Sequence, residues 1–192
     1  MKRVLLLIAV AWVASACGGD DDGVTYFVGA VSQSDVVIGV SSKQGLAKLY
    51  VCGGDATYQD TTRWLEGTLD NDGGSFAAND GWSATVTRVG STLTGKVTTP
   101  DKRELSFDAS AAAAGTIAGL YGVLDDGCMT GVVVRQPSAG DAPTAQGVWC
   151  ASDGTVAQVT PVMPLVLSAS GLAVRVNVAG AQRELTVSLV AP

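Results

Sequence analysis

The sequence contains no histidine among its 192 residues. This absence excludes Ser-His-Asp and Cys-His nucleophile arrangements, metal sites built on imidazole, and acid–base catalysis by imidazole. The chain also lacks a Ser-x-x-Lys motif, a Cys-x-x-Cys motif and a glycine-rich phosphate loop that leads into a helix. Because the commonest catalytic arrangements are missing, we expect a protein that is not an enzyme and holds no metal or cofactor.

Charged residues are scarce, at 16% of the chain, and acids outnumber bases to give a formal net charge of -6. No cluster of lysine and arginine is available to neutralise phosphates, the interaction that dominates nucleic-acid binding. We therefore expect no nucleic-acid partner. The three acids at residues 20–22 lie in a glycine-rich stretch, where such a run is typically solvated.

Residues 1–16 have the pattern of a bacterial export signal. Lys2 and Arg3 form a positive n-region, residues 4–13 are an apolar segment too short to span a bilayer as a helix, and residues 14–16 are small. This segment is therefore expected to be removed rather than folded.

Cys17 allows two interpretations of this signal. Ala-Ser-Ala satisfies the small-x-small rule of ordinary secretion, and Ala-Ser-Ala-Cys also resembles the lipobox of lipoproteins, although Ala14 stands where leucine is usual. Residues 17–23 have the composition of a solvated tether after a lipid-acceptor cysteine, which favours lipidation and a membrane partner. By resemblance to lipoproteins of double-membraned bacteria, Gly18 favours the outer membrane; otherwise we expect export to the periplasm or cell surface.

Residues 24–192 are predicted to form a single all-β domain. No stretch keeps a helical period over the length of a helix, and apolar runs of strand length recur between turn dipeptides. These dipeptides are Gly53-Gly54, Asp72-Gly73, Asp80-Gly81, Asp126-Gly127 and Asp153-Gly154. In one such run, residues 46–52, strand alternation places Ala47, Leu49 and Val51 towards the core and Lys48, Tyr50 and Cys52 on the other face.

Residues 82–107 show the clearest alternation of apolar side chains with serine and threonine, and their connections are short. Short connections force antiparallel neighbours. Residues 117–124 and 132–134 are apolar on both faces, which indicates strands covered on both sides. We predict an antiparallel meander that forms a closed or nearly closed barrel with an added hairpin; a β-sandwich is the alternative.

Cys128 and Cys150 are predicted to form a disulfide. Residues 129–135 and 145–150 have the pattern of two strands, and a hairpin centred on Ala139 places the two cysteines opposite each other. Opposed residues in an antiparallel pair are roughly 4.5 to 5.5 Å apart at Cα, which a disulfide accepts, and export makes the bond plausible. Cys52 is then left over if Cys17 is lipidated, and could pair with Cys17 if it is not.

Several segments resemble parts of uncharacterised exported bacterial β-rich proteins and lipoproteins. They are YFVGAVSQSDVVIGVSSKQGLAKLYVCGG, TTRWLEG, AGLYG, DDGCMTGVVV and GVWC. The resemblance covers most of residues 24–160, but its motifs are packing and turn residues. It implies an exported location and a β-rich fold, and it transfers no catalytic or binding residue.

Three functions are compatible with these patterns. The one we favour is a non-catalytic envelope lipoprotein that presents its β-domain to a protein or polymer partner. The alternative is a lipocalin-like or avidin-like barrel that binds a small apolar ligand in its interior. Its candidate lining residues, for which core packing is the commoner role, are Trp64, Trp82, Tyr121 and Trp149.

The third function is a hydrolase that uses paired carboxylates. It would need Glu66, Glu104 or Glu184 to lie in a cleft near an aspartate. All three glutamates fall at predicted polar strand positions, which are typical of solvated side chains.

Overall fold

The computed structural model describes residues 23–192, so the predicted signal, Cys17 and the tether up to residue 22 lie outside the described residues. The described chain forms fifteen strands and contains no helix long and apolar enough to cross a membrane. The strands are β1 (Thr25–Val31), β2 (Val37–Lys43), β3 (Leu46–Cys52), β4 (Arg63–Leu69), β5 (Gly73–Ala77), β6 (Ser83–Val89), β7 (Thr92–Thr98), β8 (Glu104–Ala111), β9 (Gly119–Asp125), β10 (Cys128–Arg135), β11 (Thr144–Cys150), β12 (Val156–Pro161), β13 (Leu167–Ser168), β14 (Gly171–Val178) and β15 (Ala181–Leu189).

The first eight strands form a closed antiparallel barrel in which each strand pairs with the next and β1 pairs with β8. The predicted all-β antiparallel barrel is therefore confirmed. Alternate side chains fill its interior, and those that are fully buried include Phe27, Leu49, Leu65, Leu93 and Phe107. At Gly29 and Gly67 an added Cβ would lie 1.9 Å from a backbone oxygen of the adjacent strand, so only glycine fits there.

The remaining strands form more than the added hairpin that the sequence predicted. They make a second sheet in the order β12-β11-β10-β9-β15-β14-β13, and an additional pairing of β12 with β14 closes six of them into a smaller barrel. The two-residue strand β13 lies beside the start of β14. The interior of this barrel is filled chiefly by valine and leucine together with Tyr121 and Trp149.

A third apolar cluster joins the two barrels. Tyr50 and Cys52, on the face of β3 that points away from the first barrel's core, are fully buried against Leu120, Val133 and Val148 of the second. The outer face of one barrel thus packs on the outer face of the other. Strands β9 and β10 are apolar on both faces because one face lines their own barrel and the other forms this junction.

The predicted disulfide between Cys128 and Cys150 is present, with a Cα separation of 5.6 Å. The register of the hairpin differs by one residue from the prediction, since Gly131 pairs with Val148 rather than with Gly147. The disulfide therefore lies beyond the last paired residues of the hairpin, Gly131 and Val148. It joins two residues that are diagonal to each other across the two strands. Within the described residues, Cys52 is a free and buried thiol.

Candidate functional site

Two clefts, with volumes of about 700 and 670 Å³, open at the junction of the barrels. We call the first the alanine cleft, because its lining includes Ala111, Ala112, Ala113, Ala118 and Ala142. We call the other the aromatic cleft, because its lining includes Tyr50, Tyr58 and Trp64. Each cleft draws its lining from both barrels.

The floor of the aromatic cleft is a cross-strand pair of aromatic rings. Tyr50 of β3 lies directly opposite Trp64 of β4, and their ring centroids are 4.4 Å apart. The Trp64 indole Nε1 donates a hydrogen bond of 2.8 Å to the backbone oxygen of Met129, across the junction. The stack and the hydrogen bond fix the half-buried indole in one orientation.

Tyr50 is the buried member of this pair. Its hydroxyl is 3.5 Å from the backbone oxygen of Val148, to which it donates, and burial raises the pKa of the phenol well above its usual value. A Cβ added at Gly131 would lie 2.5 Å from the Tyr50 ring. The absence of a side chain at Gly131 therefore lets the tyrosine ring reach the second barrel.

Polar side chains surround the aromatic floor. The cleft is lined by hydrogen-bond donors and acceptors from the first barrel, namely Gln59, Thr62, Arg63, Glu66 and Asn79. The Arg63 guanidinium forms an ion pair with Asp80 outside the lining. The opposite wall includes the Cys128–Cys150 disulfide, so the bond that fixes the hairpin also fixes the shape of the cleft.

The loop at residues 53–62, which contributes Tyr58 to the aromatic cleft, is held by the carboxylate of Asp35. Thr57 Oγ1 donates a hydrogen bond of 2.7 Å to Oδ1, and the Ala56 amide donates one of 2.8 Å to Oδ2. The bond from Thr57 is the largest cause that holds the pKa of Asp35 below its usual value. A Cβ at Gly54 would lie 2.6 Å from the Asp35 backbone oxygen, so the loop cannot approach this closely with a larger residue.

The alanine cleft combines an apolar lining with one unpaired cation. The loop after β10 is tied down by Gln136, whose Oε1 accepts from the Ile117 amide and whose Nε2 donates to the Asp141 backbone oxygen, both at 2.9 Å. Arg135 lines the cleft and makes no ion pair within residues 23–192. The one carboxylate in the lining, Asp141, accepts a hydrogen bond from Ser138.

The four aromatic residues singled out in the sequence do not share one cavity. Trp82 lies in the core of the eight-stranded barrel, and Tyr121 and Trp149 lie in the core of the six-stranded barrel. Trp64 alone lines a cleft, and that cleft is at the junction rather than inside a barrel. The structure therefore separates these residues by role into two cores and one candidate binding surface.

The three glutamates have different surroundings. Glu104 forms an ion pair of 2.7 Å with Lys96, and Glu184 forms one of 3.5 Å with Arg175. Glu66 lines the aromatic cleft, where it is the only acid among the lining side chains of the described chain. Between residues 23 and 192 no group of three or more His, Cys, Asp or Glu side chains could hold a metal ion.

Sequence reasoning missed Tyr50, Tyr58 and Arg135 as lining residues. The placement of Tyr50 and Cys52 on one face of β3 was a usable signal, because two such residues are unusual on a wet surface. No pattern in the sequence indicated that Arg135 borders a cleft, since the other wall comes from β8 and residues far away in the chain. No protein-family model, no curated protein and no solved structure matches this chain.

Proposed function

We propose that this chain is a non-catalytic envelope lipoprotein, anchored through Cys17 in the outer membrane, that binds a polymer partner in the aromatic cleft. The observation that carries the binding proposal is the fixed, solvent-contacting position of the Trp64 indole in the aromatic cleft. Its indole is half-buried and held in place by the stack on Tyr50 and the bond to Met129. A rigid aromatic face that keeps contact with solvent is a suitable platform for a ligand.

The composition of the rim favours a polyhydroxylated polymer. Gln59, Thr62 and Asn79 supply uncharged donors and acceptors, Glu66 supplies a negative charge, and the charge of Arg63 is paired with Asp80. Such a lining pairs with hydroxyl groups on a ligand without demanding that the ligand carry net charge. A polysaccharide chain offers hydroxyl groups together with apolar ring faces that can lie on Trp64.

The aromatic cleft supports binding rather than hydrolysis. Glycoside hydrolysis normally uses two carboxyl groups about 5 to 9.5 Å apart on either side of the scissile bond. Glu66 has no second acid beside it among the side chains that line this cleft in the described residues. This arrangement supports a non-catalytic role for the protein.

The anchor is tested by an intact mass spectrum of the protein extracted gently from its own membranes. We expect the mass of residues 17–192 with a diacylglycerol-type modification on Cys17, less two hydrogens for the Cys128–Cys150 bond. An unmodified protein recovered entirely from the soluble periplasmic fraction would refute the anchor. The Cys17→Ser variant provides the control, since it should lose the modification and keep the disulfide.

The cleft is tested by calorimetric titration of the protein with soluble fragments of envelope polysaccharide. We expect Trp64→Phe, which keeps a ring on Tyr50 but loses the bond to Met129, and Asn79→Ala to weaken binding. The matched control is Trp82→Phe, which alters a tryptophan outside the cleft and should leave binding unchanged. This use of the cleft would be ruled out if no fragment bound the natural protein. It would also be ruled out if all three variants bound a fragment equally well.

A second candidate function is the binding of a small amphipathic anion in the alanine cleft. Arg135 without an ion-pair partner, beside an apolar lining, supports a ligand with an acyl chain and one carboxylate. Titration with medium-chain fatty acids should show binding that Arg135→Gln weakens and that Arg175→Gln, a change to an exposed arginine, does not. Binding that both variants retain would exclude Arg135 as the anion site.

A further inference from the structure

The eight-stranded barrel has two ends that its topology defines. Because neighbouring strands are antiparallel, the start of β1 lies at the same end as the β2–β3, β4–β5 and β6–β7 turns and the end of β8. We call this the N-terminal end, since the chain enters the barrel there at Thr25. The opposite end carries the β1–β2, β3–β4, β5–β6 and β7–β8 connections.

The exposed large apolar side chains of this barrel are confined to the N-terminal end. Leu46 is 61% exposed just after the β2–β3 turn, and Val89 is 75% exposed just before the β6–β7 turn. Within residues 25–111 no other large hydrophobic side chain is exposed. A single exposed leucine or valine is ordinary, but both lie at the end from which the tether leaves.

The length of the tether restricts the orientation further. Cys17 lies six residues before Gly23, and six fully extended residues reach about 20 Å. A strand of seven residues, such as β1, is itself about 23 Å long. If the opposite end faced the lipid, the tether would have to run along the whole barrel wall and would have no length left to reach the bilayer.

We propose that the N-terminal end of the eight-stranded barrel rests on the bilayer in which Cys17 is anchored, with Leu46 and Val89 in the headgroup region. Apolar side chains buried at that depth add to the binding that acyl chains supply. The opposite end then points away from the lipid, and it carries Asn79 and the loop with Tyr58 that line the aromatic cleft. This orientation rests on the proposed lipid anchor, and it leaves that cleft accessible to a partner beyond the membrane.

The test is photocrosslinking of the full mature chain in vesicles made from its own membrane lipids. A benzophenone side chain is introduced by Leu46→benzoylphenylalanine or Val89→benzoylphenylalanine. Ser32→benzoylphenylalanine and Asp55→benzoylphenylalanine are the matched controls, because both residues are exposed in connections at the opposite end. After irradiation, lipid adducts are counted by mass spectrometry.

We expect lipid adducts several-fold more abundant from positions 46 and 89 than from positions 32 and 55. Equal yields at both ends, or higher yields at 32 and 55, would overturn the orientation. The intact mass of the same samples separates the two proposals. A lipidated Cys17 without adducts at 46 and 89 refutes the orientation alone, and an unmodified Cys17 refutes the anchor and the orientation together.

Discussion

The two barrels of this protein are closed in different ways. In the eight-stranded barrel every strand pairs with its neighbour in sequence, and β1 and β8 close the wall over five residue pairs. In the six-stranded barrel the pairing of β9 with β15 covers two residue pairs, and that of β12 with β14 covers three. The first barrel therefore closes over more backbone residue pairs than the second does at either of these contacts.

Side-chain contacts accompany the short backbone pairing of β9 with β15 in the second barrel. Asp125 at the end of β9 accepts hydrogen bonds of 3.2 and 3.1 Å from the Arg183 guanidinium of β15 and one of 2.8 Å from the Trp149 indole. The Arg183 guanidinium also lies 5.6 Å from the centroid of the Trp149 ring. These contacts link the side chains of β9, β11 and β15 beside the short backbone pairing of β9 with β15.

The largest effect is expected from Phe107→Ala in the eight-stranded barrel. Phe107 is fully buried, and removal of a buried phenylalanine ring costs about 3 to 5 kcal/mol of unfolding free energy. Hydrogen exchange measured by mass spectrometry should show lost protection across residues 25–111 and much less loss across residues 119–189. Equal loss in both ranges would contradict the separation of the two barrels into different units of stability.

Removal of the disulfide should lower the stability of the six-stranded barrel. Cys128 and Cys150 are 22 residues apart, and closing a loop of that size stabilises a protein by about 3 kcal/mol. In the Cys128→Ser/Cys150→Ser variant we expect exchange protection to fall mainly in residues 119–189. A reductant should reproduce this result in the natural sequence and have no further effect on the variant; a loss centred on residues 25–111 would be evidence against it.

Gly131→Ala tests the junction between the barrels. The new Cβ would lie 2.5 Å from the Tyr50 ring, and overpacking of a close contact typically costs about 1 to 3 kcal/mol. Urea denaturation should show this loss, whereas Gly140→Ala should not, because an added Cβ there meets nothing within 4 Å. Equal stability of the two variants would mean that Tyr50 moves aside without cost.

The smallest effect is expected from the Asp125 and Arg183 pair. A double-mutant cycle with Asp125→Ala and Arg183→Ala should give a coupling energy of about 1 kcal/mol, since the pair is partly buried and Arg183 Nη2 donates to both carboxylate oxygens. The matched cycle on Arg175 and Glu184, an exposed pair at 3.5 Å, should give less. If the exposed pair couples as strongly, Asp125 and Arg183 have no special role in closing the wall.

The sequence predicts the first barrel well because every pairing except the closing one, β1 with β8, joins consecutive strands. Short turns fix the neighbours, and alternation of apolar with polar residues, as in β6 and β7, fixes the inward face. The second barrel depends on the pairing of β15 with β9, which are distant in sequence, and no residue pattern in either strand identifies the other as its partner.

The candidate site was harder to predict for a related reason. Trp64 and Trp149 lie in strands of similar character, yet one forms part of a cleft and the other fills a core. The difference depends on where the second barrel docks, which local patterning does not specify. The predicted register of β10 with β11 differs from the observed one by one residue. The long loop between the strands contains Pro137 and Pro143 and lacks a turn of fixed geometry, so the sequence does not define the register.

The buried thiol of Cys52 makes the junction observable without any added label. Cys52 has no exposed surface, and burial raises the pKa of its thiol to about 12. Alkylating reagents attack the thiolate, so Cys52 can react only after the barrels separate or the chain unfolds. The rate at which iodoacetamide modifies Cys52 therefore reports how often the interface opens. The natural sequence already contains this probe.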